Sequence, residues 1–254
     1  AHQYGRKQIM TELYGGSRWD CDFRSYKTQT DWQTACGFNL RVPHLSFYSM
    51  NGESKRDYPA SIGYQSPWYR EFKVLEDHFA RTAAAMSQGK PVVKIGVIHP
   101  IESYWMEIGP DSTARHGRKR IENAFSGITE WLISNHLDFD FISEALVPDL
   151  WDGENIGQMR YEAIVVPTCR TLRRSTLKML LEFKNTGGAV IFAGSCPGHV
   201  NGVKSDEVKE LYEACVHVNH EKYDVIEALE CFRTVEIRKN ITHFSVNGEE
   251  AEDY

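Results

Sequence analysis

Apolar positions recur along this chain in two different rhythms, and the change between them falls near residue 90. Before it, short apolar runs alternate with helical stripes. Residues 8–12 form a short strand that ends on Glu12, and residues 38–44 a second that ends on His44. Between them, residues 26–36 read as a helix, with Trp32 and Ala35-Cys36 near one face and Gly37 as the stop. Phe72, Leu75, Phe79, Ala83 and Met86 fall three to four apart. That spacing predicts a helix over 68–87, introduced by Pro67 and ended by Gly89 and Pro91. The first 91 residues are thus two strand–helix units.

After Pro91 the pattern changes. Val92-Val-Lys-Ile-Gly-Val-Ile98 is a nearly unbroken apolar run, as expected of a parallel strand buried on both faces. Residues 117–136 form an amphipathic helix with Ile121, Ala124, Phe125, Ile128, Trp131 and Leu132 inward. Further strands are expected over 139–142, 161–167 and 189–193. A helix over 175–185 starts at Ser175 and closes at Gly187-Gly188. Residues 205–232 look helical, residues 234–237 and 242–246 look like short strands, and the acidic, polar tail 247–254 reads as loose at its end. This order of buried strands and helices is a doubly wound α/β domain over 92–254. The boundary is expected at 88–91.

Composition changes this picture in one respect. The chain has 254 residues, 41% hydrophobic and 25% charged, which is ordinary for a globular protein. A net charge of −6 without a basic stripe excludes nucleic acid as a partner. No apolar run approaches the roughly 18 residues of a membrane span. No signal-peptide pattern opens the chain, which leaves a cytoplasmic or a periplasmic setting open. The six cysteines lack a C-x-x-C pair and argue against a zinc site. What stands out is the aromatic content, with six Trp and twelve Tyr crowded toward the first 105 residues. Tyr and Trp beside Asp, Glu, His and Arg are what a carbohydrate pocket needs, because sugar rings present flat C–H faces and polar rims.

The candidate chemistry follows that composition. Glu12 ends a buried-type run and is followed by Tyr14-Gly-Gly16 and Trp19, so the chain turns at once and aromatics can wall a pocket. His44, Tyr48, Asp57, Tyr58 and Trp68 also lie at strand ends or in the loops beyond them. Glu12 is the candidate catalytic carboxylate. Trp19, His44, Tyr48, Asp57, Tyr58 and Trp68 are the candidate substrate-binding residues. In the second domain Cys196 precedes His199 by three residues, and Cys169 ends a strand. Neither sits in the glycine-flanked elbow that exposes a nucleophile. No G-x-G-x-x-G or G-x-x-x-x-G-K-[ST] run is present, so nucleotide binding lacks its phosphate cradle. No metal and no cofactor is expected, His217 with His220 being the closest histidine pair.

Met10-Thr-Glu12-Leu-Tyr-Gly-Gly-Ser-Arg-Trp-Asp20, Asp31-Trp-Gln33, His44-Leu-Ser-Phe-Tyr-Ser49, Arg56-Asp-Tyr-Pro59 and Pro67-Trp68 resemble the end of the catalytic barrel in bacterial glycoside hydrolases of the α-L-rhamnosidase-like group. Val97-Ile-His-Pro100 with Ser103-Tyr-Trp105, and residues 161–194, are similar to the α/β domain that follows the barrel there. The layout also resembles β-galactosidases whose second, glutamine-amidotransferase-like domain serves in trimerisation. The resemblance implies the last two strand–helix units of a TIM-type (β/α)₈ barrel, followed by a doubly wound, flavodoxin- or amidotransferase-like domain. Glu12 then matches the glutamate at the end of the penultimate strand. A full barrel takes about 250 residues, so about six further units and the second carboxylate of the pair are expected upstream. On this reading the substrate is a poly- or oligosaccharide, and the second domain is a non-catalytic scaffold that can build a homo-oligomer. A cysteine-dependent amidotransferase-like enzyme is the remaining alternative.

Overall fold

The structure is a computed structural model that describes residues 1–53, 58, 60–236, 243–246 and 249–252. The chain divides into two compact units, Ala1–Pro91 and a second that begins at Val92.

In the first unit, strand β1 (Met10–Leu13) is followed by helix α1 (Phe23–Ala35), strand β2 (Leu40–Pro43) and helix α2 (Lys73–Met86). The two strands are parallel, with Met10 opposite Leu40 and Glu12 opposite Val42. Side chains alternate across a strand, so Met10, Glu12, Leu40 and Val42 share one face. The opposite face carries the helices. Thr11 donates to Gln33 of α1, and Arg41 pairs with Glu76 of α2 while its guanidinium lies 4.5 Å from the Phe79 ring centroid. Leu13, Tyr14, Tyr26, Ala60, Phe72, Leu75 and Phe79 form the core of this unit. Helix α1 begins three residues earlier than its spacing predicts, because the Asp22 carboxylate accepts the Ser25 N–H at 2.8 Å and caps it. Its inward residues are Tyr26 and Thr30, while Trp32 is exposed. Met86 is likewise exposed at the end of α2.

The second unit is built on a five-stranded parallel sheet. Its elements are β3 (Ile95–Ile98), α3 (Ile101–Trp105), α4 (Asp111–Ser134), β4 (Phe139–Ile142), α5 (Val147–Leu150), β5 (Ala163–Pro167), β6 (Thr171–Leu172), α6 (Arg174–Asn185), β7 (Ala189–Ala193), β8 (His199–Val200), β9 (Val203–Lys204), α7 (Glu207–Glu213), β10 (Val216–Val218) and α8 (Lys222–Leu229). The sheet order is β4-β3-β5-β7-β10. Every pair in it is parallel. Helices cover both faces. Ile128, Leu132, Val225 and Leu229 of α4 and α8 pack with Ile95, Val97, Val165 and Ile191. Leu177, Leu180, Phe183, Val208 and Leu211 of α6 and α7 pack with Ile98, Ile164, Val166 and Phe192. This is a doubly wound α/β fold, and its β3, β5 and β7 are buried apolar strands of the kind such sheets require.

Three expectations are corrected. Residues 205–232 are not one helical stretch: β10 lies inside them and closes the sheet against β7. Helix α6 starts at Arg174, and no side-chain hydrogen bond caps it at Ser175. Residues 234–236 form no strand. The strand expected over 242–246 is present as β11 (His243–Val246), and it pairs antiparallel with β12 (Glu249–Glu252), a strand that the polar tail did not announce. A small sheet of β6, β8 and β9 also stands beyond the C-terminal ends of β5 and β7.

Candidate active site

Glu12 sits on the face of the β1–β2 pair that no helix covers. Met10 is 63% exposed there, and Leu40, Val42 and Glu12 are exposed beside it. Among the described residues no hydrogen bond or ion pair engages the Glu12 carboxylate. One residue later the chain leaves the strand abruptly. Tyr14 has φ +69° and Gly16 φ +73°. A non-glycine residue in the left-handed region stores strain of order 1 kcal/mol or more, and such strain collects at functional turns. The turn is held by the His44 N–H, which donates to the Leu13 carbonyl at 2.6 Å, and by Ser17 N–H to the Tyr14 carbonyl at 3.2 Å.

The turn brings His44 and Tyr58 together. A Cβ on Gly15 would lie 3.4 Å from the His44 ring, and one on Gly16 3.5 Å from the Tyr58 ring. The two rings are 6.1 Å apart. Both Cβ distances are ordinary van der Waals contacts, so the rings pack against the turn without requiring glycine for space; what favours glycine at 16 is its φ of +73°. Four polar atoms of the neighbouring loops are buried without a hydrogen-bond partner among the described residues: Ser17 Oγ, His44 Nδ1, Ser66 Oγ and Trp68 Nε1. Buried donors and acceptors are nearly always paired, so each of these four is a polar group that a ligand could satisfy.

The other candidates are placed less closely. Tyr48 is 96% exposed and forms no wall. Trp19 and Trp68 are half-buried, and among the described residues no hydrogen bond or ring contact ties either to Glu12. Asp57 lies outside the described residues. Tyr14, read as a pocket wall, is instead a core residue. Its φ turns the ring inward, where it lies edge-on to Tyr26 at 4.6 Å and its hydroxyl bonds Thr30. Burial pushes the Tyr14 phenol up from its ordinary value, against the hydrogen bond from Thr30.

In the second unit, Cys169 is 5% exposed and burial pushes its thiol far above the ordinary value, with the Glu144 carboxylate adding to the rise. Burial raises the Cys196 thiol too. A cysteine nucleophile needs the opposite, a thiolate favoured by nearby positive charge. No sequence motif flagged Glu144, a buried carboxyl two residues past β4. The signal for it was an acid in the turn just after an expected strand.

No protein-family profile matches the chain, and no curated protein matches it. Solved structures do. A rhamnosidase from Novosphingobium sp. PP1Y superposes with TM-score 0.61 at 17% identity, over 97% of this chain and 24% of its own. Gan42B, a GH42 β-galactosidase from G. stearothermophilus, does so with TM-score 0.51 at 13% identity, over 66% of this chain and 23% of its own. A β-galactosidase from Bacillus circulans sp. alkalophilus gives 0.50 at 14%, over 68% and 25%. The chain thus spans about a quarter of the length of the structures it matches. In fold, this parallel α/β chain is similar to a stretch of glycoside hydrolases.

Proposed function

We propose that this chain is the part of a glycoside hydrolase that carries one carboxylate of the catalytic pair, Glu12. Glycosidic bonds are cleaved between two carboxyl groups, one protonating the leaving oxygen while the other acts on the sugar or on a water. The observation that carries the reading is the position of Glu12. It lies next to last in a parallel strand, on the face away from the helices, just before a strained glycine turn over which the His44 and Tyr58 rings pack. In a (β/α)₈ barrel the face away from the helices lines the interior, and residues at the C-terminal ends of the strands do the chemistry. Among the described residues of β1 and β2 that face offers a single carboxylate, so the second comes from other strands. Carbohydrate is the substrate class, with His44 and Tyr58 as its nearest contacts and Trp19, Tyr48 and Trp68 in the outer loops.

The test is Glu12→Gln in the longest polypeptide that carries this sequence, measured on aryl glycosides. Turnover should fall by about 10²–10⁴-fold, the range for a lost acid–base group. Because the side chain is exposed, circular dichroism should be unchanged. A fall of less than about tenfold rejects the assignment. The α/β unit is assigned no catalytic step, a reading supported by its raised thiols and its lack of a phosphate loop.

A further inference from the structure

We propose that the α/β unit holds a second, non-catalytic binding site for a neutral saccharide, in the cavity between α3 and the segment 171–173. It goes beyond the reading of Glu12 and does not depend on it. The place follows from topology. The chain leaves β3 toward β4 on one side and returns as β5 on the other. The connections after β3 and β5 therefore diverge and leave a crevice at the C-terminal edge, where open α/β sheets bind ligands. A cavity of about 440 Å³ occupies that position, lined by Glu102, Trp105, Met106, Leu172, Arg173 and Asn201. Ligand pockets fall in the range of roughly 300–1,000 Å³.

Its walls are tied together. The buried Ser103 hydroxyl of α3 accepts the N–H of Arg170 at 2.9 Å and of Thr171 at 3.1 Å, and lies 3.2 Å from the Thr171 carbonyl. The Thr171 hydroxyl accepts the Gly202 N–H at 2.9 Å. Charge is gathered at the same spot. Arg173 Nε donates to Glu102 Oε1 at 2.6 Å, and the Arg173 backbone N–H donates to Glu144 Oε2 at 2.6 Å. The Glu144 side chain is 1% exposed. Glu102 Oε2 is buried without a hydrogen-bond partner among the described residues. Burying such groups costs free energy that an apolar packing would not, so the cluster calls for a reason beyond stability.

The lining selects the ligand. Trp105 is 54% exposed, and with Met106 and Leu172 it offers an aromatic, apolar surface against which the C–H face of a pyranose packs. The carboxylate of Glu102 accepts and the guanidinium of Arg173 donates, which matches adjacent sugar hydroxyls. The two charges compensate each other, so neither an anionic nor a cationic ligand is preferred, and the glycine-rich cradle of a phosphate is missing.

The experiment is a ¹H–¹⁵N titration of the whole chain with methyl β-D-galactoside and methyl α-L-rhamnoside, with adenosine as the competing stacker. Saturable shifts are expected at the Trp105 indole N–H and the Arg173 amide, with a dissociation constant of order 1 mM. Trp105→Ala should weaken binding by about tenfold or more, Trp105→Phe should keep it within about tenfold, and Glu12→Gln should leave both shifts in place. The proposal is overturned if neither signal saturates by about 20 mM saccharide. Binding to Trp105→Ala within about twofold of the parent, or tighter binding of adenosine at the same signals, also overturns it. Failure here leaves the turnover test of Glu12 untouched.

Discussion

Glu144 tests the electrostatics of the α/β unit most directly. Burial lifts its carboxyl from 4.5 to about 7, and the nearby Glu102 carboxylate adds to the rise; the Arg173 N–H and the Thr176 hydroxyl pull the other way. Below about pH 4.5 the group is protonated in both the folded and the unfolded chain, and it has no net effect. As pH rises, the unfolded chain loses this proton first, so stability is lost until the folded group also ionises near pH 7. The linkage relation gives a cost of about 1 kcal/mol at about pH 5 and about 3 kcal/mol at about pH 8. Glu144→Gln keeps an acceptor for the Arg173 N–H and removes the ionisation. The stability difference between variant and parent should therefore move by about 2 kcal/mol in the variant's favour between those two pH values. Urea unfolding followed by circular dichroism at each pH measures it. If the two stability–pH curves run parallel to within about 0.5 kcal/mol, the carboxyl does not titrate near neutrality and the argument from burial is wrong.

Other expectations are simpler. A Cβ on Gly188 would lie 2.4–2.6 Å from three atoms of the buried Phe183 ring, so Gly188→Ala should cost about 1–3 kcal/mol in urea unfolding. Gly198→Ala meets nothing within 4 Å and should stay within about 0.5 kcal/mol; equal effects of the two would refute the packing reason. Iodoacetamide at neutral pH, followed by peptide mass spectrometry, should alkylate the exposed Cys36 and Cys231 at least about tenfold faster than Cys169, whose thiol is buried and raised. Comparable rates would restore Cys169 as a candidate nucleophile.

Much of the element order was legible along the chain because it is local. Phe72, Leu75 and Phe79 repeat at helical spacing, and all three are buried. The apolar runs at β3, β5 and β7 announce strands covered on both faces. Glu12 and His44 were legible as residues near the ends of two short strands of the first unit, although nothing local showed that one face of that pair is uncovered. β10 was not, because Val216-His-Val is short and set among polar residues, and its pairing with β7 is a contact across the sheet. Nor could spacing alone say which side of α1 turns inward. Trp32 fits the stripe yet is exposed, because Tyr26 and Thr30 are the residues that meet the core.

The sequence by itself determined the two rhythms of the chain, the residue types available for chemistry and the absence of a phosphate loop. Periodicity, turn residues and motifs act over a few positions, and the sequence carries them in full. Tertiary structure alone decided what each chemical group faces. The register of Glu12 against Val42 puts the carboxylate on the uncovered face, and a left-handed φ sends Tyr14 into the core. Arg173 meets Glu102 across 71 positions and Glu144 across 29, a gathering of charge that only the winding of the sheet can bring about.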